Sequence, residues 1–128
     1  MLLIDTSAIV KFFSQEEGWE QVKQYVADAM TLHMAISELG NALLFKVRKK
    51  ELSLKTATEI LAKYAKNAVL LNDEEYTESA LKASYEGGLT MYDSMFLAAC
   101  MEEGFGLVTC DRAQAKEARR LGINVTEC

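Results

Sequence analysis

Short apolar runs alternate along this chain with longer stretches whose apolar residues recur every three or four positions. Five runs read as strands: Leu2–Asp5, Thr31–Met34, Ala68–Leu71, Leu107–Thr109 and Ile123–Thr126. Each is brief and uninterrupted, as strands covered on both faces are. Between them, Thr6 to Ser14 and Trp19 to Ala29 carry helical spacing (Ile9, Phe12, Phe13; Val22, Tyr25, Val26). Ala35 to Lys50 lines up Ile36, Leu39, Leu43 and Val47, and Ser53 to Asn67 turns Leu54, Ala57, Leu61 and Tyr64 inward. Asp73 to Gly87, Asp93 to Glu103 and Asp111 to Leu121 complete the helices. Acidic residues open the first of these, and Gly87-Gly88, Gly104 and Gly122 stand where helix ends belong. Strands alternating with helices predict right-handed crossovers and a parallel sheet in an α/β/α three-layer sandwich.

Composition narrows the class. With 128 residues, 50% hydrophobic and 26% charged, the chain fits one globular domain, residues 1–128. Proline is absent, so no stiff linker divides it. No stretch longer than nine residues lacks Lys, Arg, Asp or Glu, which leaves nothing to span a bilayer. The start, Met1-Leu2-Leu3-Ile4-Asp5, has no basic region and only a short apolar run, unlike a signal peptide. A cytoplasmic protein is expected.

Three cysteines, Cys100, Cys110 and Cys128, form no CxxC pair, and the expectation is reduced packing thiols. The single histidine, His33, reads as structural, and one histidine makes a poor start for a Ser-His-Asp or Cys-His site. Nineteen acids against fourteen bases give a formal charge of −5. That balance opposes a protein that grips nucleic acid by bulk positive charge, though not an enzyme with a local basic patch.

Chemistry enters through four acids in apolar company. Asp5 is the only charge among the first ten residues. Glu38 stands alone between Asp28 and Lys46, and Asp93 alone between Glu86 and Glu102. Asp111 ends the uncharged run from Gly104 to Cys110. Burying an ionised carboxylate costs several kcal/mol unless it is compensated. Asp5, Asp93 and Asp111 each precede a helix and could serve as N-caps. Glu38 lies inside a helix, on the face it shares with Asn41, Ala42 and Phe45.

Topology gives the four a common purpose, because ligand sites of open α/β sheets form at the carboxyl ends of strands near the switch in strand order. Asp5 ends the first strand and Asp111 follows the fourth. Oxygen ligands without His or Cys suit Mg²⁺ or Mn²⁺. Such a site can orient and deprotonate a water and stabilise in-line attack on a phosphodiester.

Leu3-Ile4-Asp5-Thr6-Ser7-Ala8, Ser37-Glu38, Tyr92-Asp93-Ser94-Met95-Phe96-Leu97-Ala98 and Leu107-Val108-Thr109-Cys110-Asp111-Arg112 together resemble the PIN-domain ribonucleases. Within that family they are most similar to the VapC-like toxins of prokaryotic toxin–antitoxin pairs. The resemblance runs the length of the chain, in order, with all four acidic positions filled.

It implies a five-stranded parallel sheet and an endoribonuclease using Mg²⁺ or Mn²⁺, with Asp5, Glu38, Asp93 and Asp111 as catalytic metal ligands. It also implies that the hydroxyls of Ser7 or Thr6 and of Thr109 help position a ligand. Ala113 stands near where some relatives carry a further acid. A homodimer and a small antitoxin that enters the active-site groove are implied by the resemblance alone.

RNA phosphates have two candidate footholds. Lys46, Arg48, Lys49 and Lys50 close one helix, and Arg112, Lys116 and Arg120 form a stripe on another, with Arg119 beside it. A solvated helix face is the plainer account of each, and Tyr92 is open between core and base-stacking roles. Two alternatives compete. A phosphatase with an aspartyl nucleophile would usually place a second Asp where Ser7 stands, and a non-catalytic PIN-like binding module would usually have lost acids. An RNA-processing PIN nuclease outside any toxin pair is a further alternative. Four of the five net negative charges equal the four candidate ligands in number, so much of the acidity belongs to the site.

Overall fold

The computed structural model describes residues 1–128. Strand β1 (Leu2–Ile4) leads into α1 (Thr6–Phe13). A 3₁₀ turn (Trp19–Val22) runs on into α2 (Lys23–Asp28), and β2 (Thr31–Leu32) follows. Next come α3 (Met34–Arg48), α4 (Leu54–Asn67) and β3 (Leu70–Leu71), then a second 3₁₀ turn (Asp73–Tyr76) continuing as α5 (Thr77–Gly87). The order closes with α6 (Met91–Glu103), β4 (Gly106–Thr109), α7 (Arg112–Arg120) and β5 (Val125–Glu127).

All strand pairs are parallel, as expected, but the five-stranded sheet is not continuous. β1, β4 and β5 form a three-stranded sheet in the order β1-β4-β5, and β2 pairs with β3 separately. A single bridge, Leu3 to Met30, joins the two. Met30 exchanges backbone hydrogen bonds with β1, accepting from Ile4 N–H at 2.8 Å and donating to the Leu2 carbonyl at 3.0 Å. From Thr31 the chain turns its N–H groups to Val69 and Leu71, and α3 begins two residues after β2 ends. β2 is therefore too short to ladder with β1 beyond that one residue.

The Thr31 hydroxyl, fully buried, reinforces the seam by donating to the Ile4 carbonyl at 2.7 Å. Thr31→Val keeps the shape and removes this bond. It is expected to cost about 1 kcal/mol in urea unfolding.

Both faces of the sheet are covered, since the consecutive residues Leu3, Ile4, Leu107 and Val108 are all inaccessible to solvent. Helix α6 is enclosed over nearly two turns, with Ser94 to Cys100 all buried. In α3 the expected stripe holds: Leu39 and Leu43 are buried, and Ile36 and Val47 pack against the core. In α4, Ala57 and Tyr64 are buried and Leu61 packs on the core, but Leu54, at its first turn, is exposed. Gly88 and Gly104 take the left-handed conformation (φ 77° and 72°) that ends α5 and α6.

The cysteine expectation is overturned for two of the three. Cys110 and Cys128 form a disulfide, and only Cys100 is free, buried in the core. Parallel pairing explains it: Thr109 is in register with Glu127, so the next residue on each strand stands opposite its partner, Cα atoms 4.5 Å apart. That proximity is a property of the sheet and is invisible in a spacing of 18 residues.

Candidate active site

Asp5 follows β1 as the N-cap of α1, and its side chain is buried, 4% exposed. Three donors hold its carboxylate. Ser7 Oγ donates to Oδ1 at 2.6 Å, the Ala8 N–H reaches the same oxygen at 3.2 Å, and the Thr109 hydroxyl donates to Oδ2. Burial is the largest influence on this group. Ser7, Thr109 and Ala8 lower its pKa and Asp93 raises it, and the net result is a carboxyl pushed up to about 6.

The hydroxyls are themselves anchored. Ser7 Oγ accepts the Cys110 N–H at 2.9 Å, and Thr109 Oγ1 accepts the Asp111 N–H at 3.1 Å. The loop after β4 is thereby tied to the loop after β1. Ser7→Ala removes a donor from Asp5 and leaves the Cys110 N–H without its acceptor. We expect a loss of about 1–3 kcal/mol in urea unfolding. The Asp5 titration, followed by carboxyl NMR, should move further upward.

Glu38 projects from the second turn of α3, half-buried, with Thr6 Oγ1 donating to its Oε1 at 2.6 Å. Burial raises its pKa, Thr6 lowers it, and Asp93 and Asp73 raise it by repulsion. It lines an open groove of about 440 Å³ with Thr6, Val10, Ser37, Asn41, Ala42 and Tyr92. Tyr92 is 65% exposed there, which settles its place outside the core. Across Thr6 and Val10 a second groove of about 540 Å³ runs past Lys11 and the Cys110–Cys128 pair.

Asp93 does not cap its helix. Thr90 is the N-cap of α6, accepting the Asp93 N–H, and Asp93 lies in the first turn. Burial raises its pKa first, and repulsion from Asp111 adds to this. Asp111 caps α7, its Oδ1 accepting the Gln114 N–H at 3.0 Å.

All four acids thus lie on one connected region, at the ends of β1 and β4 and the starts of α1, α6 and α7, with Glu38 facing Thr6. Repulsion links Asp93 to each of the other three. No three of them close to metal-ligand spacing; each rests on its nearby donors. The donor set is carboxylate and hydroxyl oxygen, without nitrogen or sulfur ligands, and three of the carboxyls are raised, by burial first and by repulsion among the acids second. That chemistry fits a hard divalent cation.

Two residues outside the expected set belong here. Asp73, one of the acids that open its helix in the sequence, is half-buried in the second 3₁₀ turn, against the start of α3, and repels Glu38. Gln114 is buried beside Asp93 and Asp111; its signal in the sequence is a polar residue on the Gln114, Ala115, Ala118 face that α7 turns inward. Arg112 is exposed at the first turn of α7. The rest of the basic stripe is partly spent, since Arg120 pairs with Glu117, and Arg119 with Glu127 at 2.8 Å. His33 is exposed and immediately precedes α3, beside Asp73.

Residues 2–120 match the family model described as PIN domain. Two proteins of Pyrobaculum aerophilum are similar in sequence. Exonuclease VapC9 is 31% identical over 86% of this chain and 80% of its own length, and Ribonuclease VapC3 is 30% identical over 91% and 93%.

Among solved structures, PAE2754 from the same organism superposes with a TM-score of 0.75 at 26% identity, covering 97% of this chain and 82% of that one. The DNA-bound VapBC structure from Salmonella typhimurium shares the fold, with a TM-score of 0.67 at 16% identity and coverage of 98% and 96%. The chain belongs to the PIN domain family.

Proposed function

We propose that this chain is a metal-dependent endoribonuclease acting as the toxin of a toxin–antitoxin pair. The observation that carries the reading is Asp5: a buried, raised carboxyl held by three donors, repelled by Asp93, in a site whose ligands are all oxygen. Asp5, Glu38, Asp93 and Asp111 would hold Mg²⁺ or Mn²⁺, which supplies water activation and charge neutralisation at a phosphodiester.

The chain's own residues do the rest. Ser7 and Thr109 fix both oxygens of Asp5, and Thr6 fixes Glu38 by one oxygen. Arg112, exposed next to Asp111, offers a phosphate contact that carries affinity without reading sequence. Tyr92 presents an exposed ring at the groove wall.

The open groove past Glu38, about 440 Å³, is where an RNA strand or a segment of an antitoxin would enter. Relatives named VapC support the nuclease reading, and a fold shared with VapBC supports the antitoxin. A homodimer and a cytoplasmic setting belong to the same proposal. No helix is long and apolar enough to cross a membrane.

A circular RNA tests the reading, because it offers no ends to an exonuclease. With Mg²⁺ or Mn²⁺ the protein should convert the circle to a linear product. Intact circles under conditions where a linear RNA of the same sequence is degraded would replace the endonuclease with an exonuclease.

A further inference from the structure

Gln114 is the only buried amide side chain in the protein. It sits in the first turn of α7 and touches both neighbouring acids. Its Nε2 donates to the backbone carbonyl of Asp93 at 3.0 Å, and its backbone N–H donates to Asp111 Oδ1 at 3.0 Å. Its Oε1 is buried without a partner.

Packing alone does not ask for an amide here. A methionine or leucine would fill similar space without burying an unpaired acceptor, which costs free energy. What the amide adds is a bond from α7 to the first turn of α6. That bond spans two carboxylates that repel, since Asp111 is a cause of the raised Asp93 carboxyl. Thr90 secures Asp93 only within its own helix, through the N-cap bond and a side-chain hydrogen bond to the carboxyl.

We propose that Gln114 is a positioning residue, a clamp that ties the starts of α6 and α7 together so that Asp93 and Asp111 can serve one divalent cation. It acts through its hold on the two helix starts and touches neither cation nor RNA. The proposal rests on the metal-site reading above. It deepens that reading by naming what opposes the repulsion between two of the ligands.

Mn²⁺ titration by calorimetry, without RNA, tests it on the wild type, Gln114→Met, Asp93→Asn and the double variant. Gln114→Met should keep the metal-free unfolding temperature or raise it, while weakening Mn²⁺ binding about tenfold. In RNA cleavage, kcat should fall with KM unchanged. In the Asp93→Asn background the same substitution should change Mn²⁺ affinity less than about threefold, because the ligand it places is gone.

Wild-type affinity in Gln114→Met, or the full tenfold loss repeated in the Asp93→Asn background, would overturn the clamp. If Asp93→Asn abolishes binding, the single variant decides. Should Gln114→Met lower the unfolding temperature, Gln114→Leu makes the same comparison. Unchanged Mn²⁺ affinity in Asp93→Asn would instead remove the metal-site reading, and the clamp with it.

Discussion

Asp5→Asn should lower RNA cleavage on the order of 100-fold or more and, at the same time, raise the unfolding temperature of the metal-free protein. The first effect follows from the proposed metal site, which would lose a charged ligand. The second follows from burial. The Asp5 carboxyl titrates at about 6 when folded, against an ordinary 3.8. The folded state therefore holds that proton more tightly than the unfolded chain does.

Stability from this group is fully present below about pH 4 and is lost as pH rises through 6. At neutral pH the ionised carboxylate costs the fold up to about 3 kcal/mol. Asparagine carries no charge, keeps the N-cap, and can still pair with Ser7 and Thr109. Calorimetry at pH 7 without metal should show a gain of several degrees, no more than roughly 10 °C. A variant both inactive and less stable would mean that Asp5 is structural.

Cleavage should also fall steeply in acid. At subsaturating Mg²⁺ the rate should drop about tenfold per pH unit below about 6, as the Asp5 carboxyl takes up its proton, and level off above it. Glu38 and Asp93 are raised in the same direction and steepen the fall. Protons and cation compete for the same oxygens, so raising Mn²⁺ should move the midpoint to lower pH. The check is a set of pH–rate profiles at several metal concentrations. A midpoint that ignores the metal would separate the titrating group from the metal site.

Much of this was legible in the pattern of the chain. Apolar runs gave the parallel strands, and glycines gave the ends of α5 and α6, because both depend on local rules. Asp5 and Asp111 stood out as the first charges after apolar strands, and both cap the helices they precede.

What the pattern missed depends on residues distant in the sequence. The break between β2 and β1 arises because α3 starts so soon after β2. The Cys110–Cys128 disulfide is set by strand register. An N-cap role was one reading open for Asp93, but Thr90 caps α6 instead, and a Thr three residues ahead of an Asp is easily passed over. Asp73 did not stand out because it runs on into Glu74 and Glu75 in the sequence, while its burial comes from the start of α3.

The most direct test of the central claim is cleavage of labelled RNA by metal-stripped protein, before and after restoring Mg²⁺ or Mn²⁺, with Asp5→Asn and Asp93→Asn alongside. No cleavage by the stripped protein, recovery on adding metal, and none by either variant is the result predicted here. Cleavage that survives EDTA, or that both variants perform at the wild-type rate, would contradict it.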